Sequence, residues 1–269
     1  MSTELKVTLN GKELRVRAGT RIEELFANHH HPGPFPALGA IVNKRIVSLS
    51  YPLKAPADVT SIDITRREGM DIYRRSASAI LCAALLDIAP HAKSAVGQSI
   101  GNGYFFDIDG AKVDQAFLTQ LDRRMREFVQ EHARLEMEWT TVDEAIDRFT
   151  ERGAHDKAKL LSQGRRAEVV LFRLGKFLDV AHGPVASSAG LIDRFALHPY
   201  EHGLVLDFPD EHGELADTIP PHPKLFATYV ESKRWNELVK TQNIADLNEH
   251  CMEGSVSDLI RVTEALHEK

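Results

Sequence analysis

Four groups of residues in this sequence have side chains that could do chemistry. His29-His30-His31, just ahead of Pro32-Gly33-Pro34, supplies imidazoles that can ligate a metal. Ligation needs several donors converging on one point, and neighbouring histidines in a loop are ordinarily solvated. His198-Pro199-Tyr200-Glu201-His202 places two more imidazoles four residues apart, but Pro199 forbids the regular helix that would put them on one face. Cys82 stands where a core residue belongs in an apolar stretch and reads as a buried thiol. Asp179 and His182 open the stretch Asp179–Phe195, in which Gly183-Pro184 forces a turn and Ser187, Ser188 and Gly190 keep the backbone irregular before Ile192 and Phe195. Loops of small residues between apolar runs let backbone come close to a ligand, and they also serve as plain turns. A second stretch, Gly97–Asp109, has glycines at 97, 101 and 103 suited to a strand–turn–strand with close backbone approach. There Tyr104, Phe106 and Ile108 alternate as one sheet face.

The elements that must hold these residues are legible in order. Leu5, Val7 and Leu9 alternate, Asn10-Gly11 is a type I′ turn signal, and Leu14 and Val16 alternate again, so residues 4–17 are a hairpin. Thr20 with Glu23 forms a capping box for a short helix carrying Ile22, Leu25 and Phe26. Strands follow at 37–43, around Ile46-Val47 and Leu49, and through Val59, Ile62 and Ile64. Gly69 marks a boundary, and residues 71–87 are a helix with Ile72, Ile80, Ala84 and Leu85 inward. Residues 114–132 are an amphipathic helix with Phe117, Leu121, Met125, Phe128 and Val129 on one face. A strand at 135–139, a helix capped by Thr141 and ended by Gly153, a short helix at 156–161, and strands at 169–172, 177–180, 195–197 and 204–208 complete an α+β order of helices on an antiparallel sheet. Residues 210–223 are a linker. Beyond it lie helical stripes: Leu225, Phe226, Tyr229, Val230, Trp235 and Leu238; then Asp246-Leu247; then Val256, Leu259, Ile260, Thr263 and Leu266. The last stripe ends without a capping residue, from which the natural chain is expected to continue.

At 269 residues with 43% hydrophobic and 27% charged residues, the chain has the composition of an ordinary globular protein of about two domains and an extension. No apolar run is long enough to span a membrane, and the N-terminus lacks a signal-peptide core. Two cysteines, Cys82 and Cys251, read as free thiols in a reducing cytoplasm. Residues 1–67 carry ten Lys+Arg against six Asp+Glu, a net of +4, while the remainder carries −10. Neither part has the strongly basic footprint of a dedicated nucleic-acid binder.

Leu9-Asn10-Gly11, Ala18-Gly19-Thr20, Ala40–Asn43 and Leu53 with Asp58-Val59 resemble the TGS domain of threonyl-tRNA synthetases and some GTPases. The resemblance implies a ubiquitin-like β-grasp over residues 1–67. The order helix, Gly97-x5-Gly103-Tyr-Phe-Phe-Asp107, long helix, then Asp179-x3-Gly183-Pro184 is similar to the second additional domain of threonyl- and alanyl-tRNA synthetases, here residues 70–209. In threonyl enzymes that domain removes wrongly attached serine from tRNA, using His-x3-His on the helix and Cys-x3-His on the loop, a set suited to a metal or a polar catalytic cluster. The matching positions here are Arg75 and Ala79, and Ala181 and Val185. All four depart from the family, and Ala or Val neither ligates nor moves a proton. The resemblance therefore implies no catalytic and no metal-binding residue, and leaves a vestigial pocket of Arg75, Asn102, Tyr104, Asp179, His182, Ser187 and Ser188.

Tyr73–Ser76, Ser99–Tyr104, Pro223–Phe226 with Trp235, Asn243-x2-Asp246-Leu-Asn248 and Glu264–Glu268 resemble a subgroup in which these two domains precede a uridine-kinase-like P-loop domain. That implies that residues 210–269 are a linker and helical extension leading to a kinase domain in the same chain. No Gly-x4-Gly-Lys-Ser/Thr occurs, so ATP and Mg²⁺ are expected only for such a further domain, and no cofactor for this stretch. The expected function is a non-catalytic accessory region that binds RNA or a nucleoside. The alternative is an editing hydrolase or tRNA-binding protein related to threonyl-tRNA synthetase.

Overall fold

The computed structural model describes residues 4–29, 31–257, 260, 261 and 264. In chain order the strands and helices are β1 (Glu4–Leu9), β2 (Lys12–Arg17), α1 (Ile22–Asn28), β3 (Gly39–Val42), β4 (Arg45–Ser48), β5 (Ala57–Ile62), α2 (Arg67–Ile88), β6 (Lys93–Ile100), β7 (Gly103–Asp109), α3 (Gln115–Gln130), β8 (Glu136–Thr141), α4 (Val142–Glu151), α5 (His155–Ser162), β9 (Glu168–Leu174), β10 (Phe177–Val180), β11 (Ala196–Tyr200), β12 (Gly203–Asp207), α6 (Pro223–Leu238) and α7 (Ile244–Glu253). The fold is α+β. Its sheets are ordered β2-β1-β5-β3-β4, β10-β9-β8 and β11-β12-β7-β6. Two compact units divide the chain: Met1–Met137 with Phe172–Pro220, and Glu138–Leu171 with Pro221–Lys269. Among the described residues no helix is long and apolar enough to cross a membrane.

The first unit holds two apolar clusters. In the N-terminal one, the β1–β2 hairpin turns through Asn10 and Gly11, both at positive φ (46° and 86°), as a type I′ turn requires. β1 runs parallel to β5 at the centre of the sheet, and β3 pairs antiparallel with both β4 and β5. Val7, Ala40, Val59 and the α1 residues Ile22 and Leu25 form its buried centre. In the second cluster, α2 and α3 cover the β11-β12-β7-β6 sheet. Ile72, Ile80 and Ala84 of α2, Leu121, Met125 and Phe128 of α3, and Phe106, Leu204 and Leu206 of the sheet are all buried together. The two clusters adjoin through Leu191, which packs against both, and through the Arg134–Glu23 ion pair at 3.1 Å.

The second unit is helical for most of its length. Thr141 caps α4 by accepting from the Glu144 amide, and Gly153 ends that helical turn at φ 71°. Lys159 of α5 reaches Asp246 and Glu249 of α7 at 3.0 and 2.6 Å, and Gln163 donates to the Ala245 carbonyl. These contacts tie α5 to α7. Leu238, Ile244 and Met252 are left exposed.

Three expectations are corrected. Thr20 does not cap α1; the N-cap is Arg21, without a side-chain bond. The carbonyls of Tyr51 and Leu49 take the amides of Ile22 and Glu23 instead, which satisfies the helix start from the neighbouring strand connection. The helix expected from residue 71 begins at Arg67, so Gly69 lies in its first turn rather than ahead of it. A side chain there would collide with the Asp63 carbonyl, so the glycine serves close approach rather than a break. His31 is not a solvated loop histidine. Its side chain is 14% exposed, with Nδ1 2.7 Å from Ser61 Oγ and Nε2 3.1 Å from Asp63 Oδ2. His30 of the same tract, Leu259, Thr263 and Leu266 of the last stripe, and the terminal residues on which continuation was argued lie outside the described residues.

Candidate functional site

The site is built where α2 faces the irregular loop between β10 and β11. Ser76 is fully buried on α2. Its hydroxyl donates to the Ile72 carbonyl at 2.7 Å and accepts from the Ala186 amide at 2.8 Å, fastening the middle of the loop to the helix. One turn earlier the buried Tyr73 hydroxyl donates to the Arg194 carbonyl at 2.7 Å and accepts from the Arg194 amide at 2.9 Å, fastening the loop's far end. Burial pushes the Tyr73 phenol well above the usual tyrosine range.

Between those anchors, Arg75 lies under the turn. Its Nε donates to the Pro184 carbonyl at 3.0 Å. A methyl placed on Gly183 would stand 2.9–3.2 Å from the guanidinium atoms, so a larger residue there would shift the arginine head. Burial lowers the pKa of Arg75 below the usual arginine value, while Asp71 and Tyr104 act in the opposite sense. Arg74 turns to the β6–β7 turn. It donates to Asn102 Oδ1 at 2.6 Å and sits about as far from the Tyr104 ring (6.0 Å) as from the Phe208 ring (5.8 Å). Asn102 in turn donates to the Phe208 and Pro209 carbonyls, both at 2.8 Å, and Tyr104 meets Phe208 edge-on at 5.0 Å.

The residues predicted to line a pocket are thus divided. Arg75 and Tyr104 are near each other, and Asn102 joins them through Arg74. His182 is exposed beside Gly183, and Asp179 accepts from the neighbouring Val180 amide at 2.8 Å. Ser187 and Ser188 are engaged elsewhere: the Ser187 carbonyl accepts from Leu135, while Ser188 donates to the His132 carbonyl and caps the 3-10 turn Ala189–Leu191. Of the remaining candidates, Cys82 is half-buried, 3.7 Å from Ser94 Oγ. His202 reaches the buried Asp107 at 3.1 Å. Sequence reasoning did not single out the anchoring roles of Tyr73, Arg74, Ser76 and Arg194; the run Tyr73–Ser76 on one helix was the only signal.

The chemistry of these positions follows. Ala79 and Val185 are 3% and 2% exposed, apolar and part of the core, and Ala181 packs against it. Arg75 has no lone pair for a metal and no proton to move near neutral pH. The four positions that the synthetase resemblance assigns to a metal or catalytic cluster therefore do not fit one. Among the described residues no three His, Cys, Asp or Glu side chains converge as metal ligands.

Fold and site together define an α+β scaffold whose helix and loop are pinned by Tyr73, Arg75 and Ser76, with Ala79 and Val185 buried in the core and Ala181 packed against it. No protein-family model matches the chain. It is similar to the threonine–tRNA ligase of Clostridium kluyveri, 29% identical over 189 residues, which is 69% of this chain and 30% of that protein. The threonine–tRNA ligase of Acetivibrio thermocellus is 30% identical over 199 residues, 72% of this chain and 31% of that protein, and that of Aromatoleum aromaticum 30% over 163 residues. The chain is thus related in sequence to part of the threonyl-tRNA synthetases, and it spans about 30% of the length of the curated relatives it matches.

Proposed function

We propose that this chain is a threonyl-tRNA synthetase-related module that holds the acceptor end of a tRNA without cleaving an aminoacyl ester. The observation that carries the reading is the filling of the chemical centre. Ala79 and Val185 are core residues, and Arg75 is bonded to the Pro184 carbonyl beneath the loop. A scaffold kept in shape by three long-range anchors but lacking a base or ligand supports binding rather than turnover. The relatives are tRNA ligases, and the +4 balance of residues 1–67 supports contact with a phosphate backbone. Fluorescence anisotropy of a labelled tRNA acceptor-stem hairpin tests it. Saturable, salt-sensitive binding is expected, and no saturable binding at 50 mM salt would end the reading.

A hydrolytic version would need Asp179 or His182 as base, and predicts ester cleavage abolished by Asp179→Asn or His182→Ala. The other reading makes this region an accessory to a uridine-kinase-like domain with its own ATP and Mg²⁺. That version rests on the subgroup resemblance, and the threonine–tRNA ligase relatives weigh towards the synthetase-related one.

A further inference from the structure

The guanidinium of Arg75 is an anomaly in its surroundings. Arg124 meets Asp87 and Glu127 at 2.8 and 2.9 Å, Arg148 meets Glu138 and Glu144 at 2.9 and 2.7 Å, and Arg74 donates from Nη2 to Asn102 while its buried Nε has no partner. Arg75 is half-buried, yet its one hydrogen bond is from Nε to the Pro184 carbonyl, and no described carboxylate comes within ion-pairing distance. Its two terminal nitrogens therefore have no protein acceptor. Burial depresses the pKa of this group, and Asp71, which acts in the opposite sense, stands beyond ion-pairing distance. The fold nevertheless fixes it in place. Nε is held by the loop, and Gly183 lies against its face where a methyl would stand 2.9–3.2 Å from Cζ and both terminal nitrogens. Beside it, the half-buried Tyr104 ring is held edge-on against Phe208, and its hydroxyl carries no protein hydrogen bond. An arginine fixed through Nε presents its remaining fork of parallel N–H groups in one orientation, which suits an oxyanion taken in two hydrogen bonds.

We infer that Arg75, helped by the Tyr104 hydroxyl, is a receptor for a phosphate group of RNA, so that the position where the synthetase resemblance expects a ligand histidine has become an anion site. The inference rests on the RNA-holding reading above, because phosphate is the oxyanion an RNA brings. Calorimetric titration of the full chain at constant ionic strength tests it. The probes are the dinucleoside phosphate ApA and inorganic phosphate, with wild type, Arg75→Gln, Arg75→Lys, Tyr104→Phe and Arg123→Gln. ApA is expected to bind saturably. Arg75→Gln should weaken it by about tenfold or more, whereas Arg123→Gln removes the same charge from the exposed face of α3 and should change it by less than about twofold. Arg75→Lys keeps the charge but not the fork, and Tyr104→Phe keeps the ring, so both still test the site if Arg75→Gln fails to fold. Each should weaken ApA by about threefold or more.

No saturable ApA binding, binding of inorganic phosphate alone, or binding indifferent to every Arg75 and Tyr104 variant that folds would overturn the inference. The two proposals fail separately. Acceptor-stem binding unaffected by Arg75→Gln would remove this site and leave the function. Arg75-dependent ApA binding without acceptor-stem binding would keep the site and remove the tRNA.

Discussion

Replacing Ser76 by alanine isolates the fastening of the loop to its helix. The hydroxyl is the acceptor for the Ala186 amide, and both residues are fully buried. Alanine leaves that amide in the core without a partner, which costs about 1–3 kcal/mol. The Ile72 carbonyl loses only a second donor, since residue 76 still supplies the helical amide. Alanine also gains roughly 0.5 kcal/mol in helix propensity over serine, so the net loss is about 0.5–2.5 kcal/mol. Trp139 and Trp235 both lie in the second unit, so tryptophan fluorescence would not report this change. Native-state hydrogen exchange of the loop amides would. With a tenfold change for each ~1.4 kcal/mol, exchange at Ala186 should accelerate by about 2- to 60-fold. Ser78→Ala provides the control. Its hydroxyl donates only to the Arg74 carbonyl one turn back, and its removal should leave the loop unchanged. Unaltered protection of Ala186 in Ser76→Ala would refute the claim that this hydroxyl holds the loop.

Other outcomes follow from the same contacts. Tyr73→Phe strips both Arg194 backbone groups of their partner and should destabilise the first unit by about 1–3 kcal/mol in a denaturant titration followed by tyrosine absorbance. Because the folded pKa of Tyr73 is raised, its contribution is fully present below pH ~10 and is lost as pH rises further, so one tyrosine should resist spectrophotometric titration until the chain unfolds. At Asp63 burial acts to raise the pKa, but hydrogen bonds from Thr65 and His31 outweigh it and the net shift is downward. Its stabilising contribution is thus present above pH ~4 and disappears as pH falls, and Asp63→Asn should flatten that acid limb of a stability–pH curve. Gly69→Ala sets a methyl against the Asp63 carbonyl and should cost at least about 3 kcal/mol, seen as a lowered melting temperature.

Local features were readable from the sequence because local physics decides them. The alternation of Leu5, Val7 and Leu9 about Asn10-Gly11 gave a hairpin at the positions observed, and Thr141 caps α4 as its spacing indicates. Thr20 has the same capping pattern and failed, because the carbonyls of Tyr51 and Leu49, 29 and 26 residues beyond the amides they accept from, reach the helix start first. Gly69 looked like a breaker, and its actual cause is the approach of Asp63 in space. The departure of Arg75, Ala79, Ala181 and Val185 from the pattern that the resemblance implies was visible residue by residue. The anchoring was not: Ser76 to Ala186 and Tyr73 to Arg194 span 110 and 121 residues, and neither pair carries a local spacing. His31 was misread for the same reason, since Ser61 and Asp63 become its neighbours only when β5 is in place.

The fate of an aminoacyl ester separates binding from hydrolysis most directly. Seryl-tRNA incubated with the chain, followed by release of labelled serine, should decay at the rate seen with buffer or with heat-treated protein, while anisotropy in the same mixture shows the RNA bound. Enzyme-dependent release that rises with protein concentration and falls with Asp179→Asn or His182→Ala would show that a hydrolytic centre exists after all.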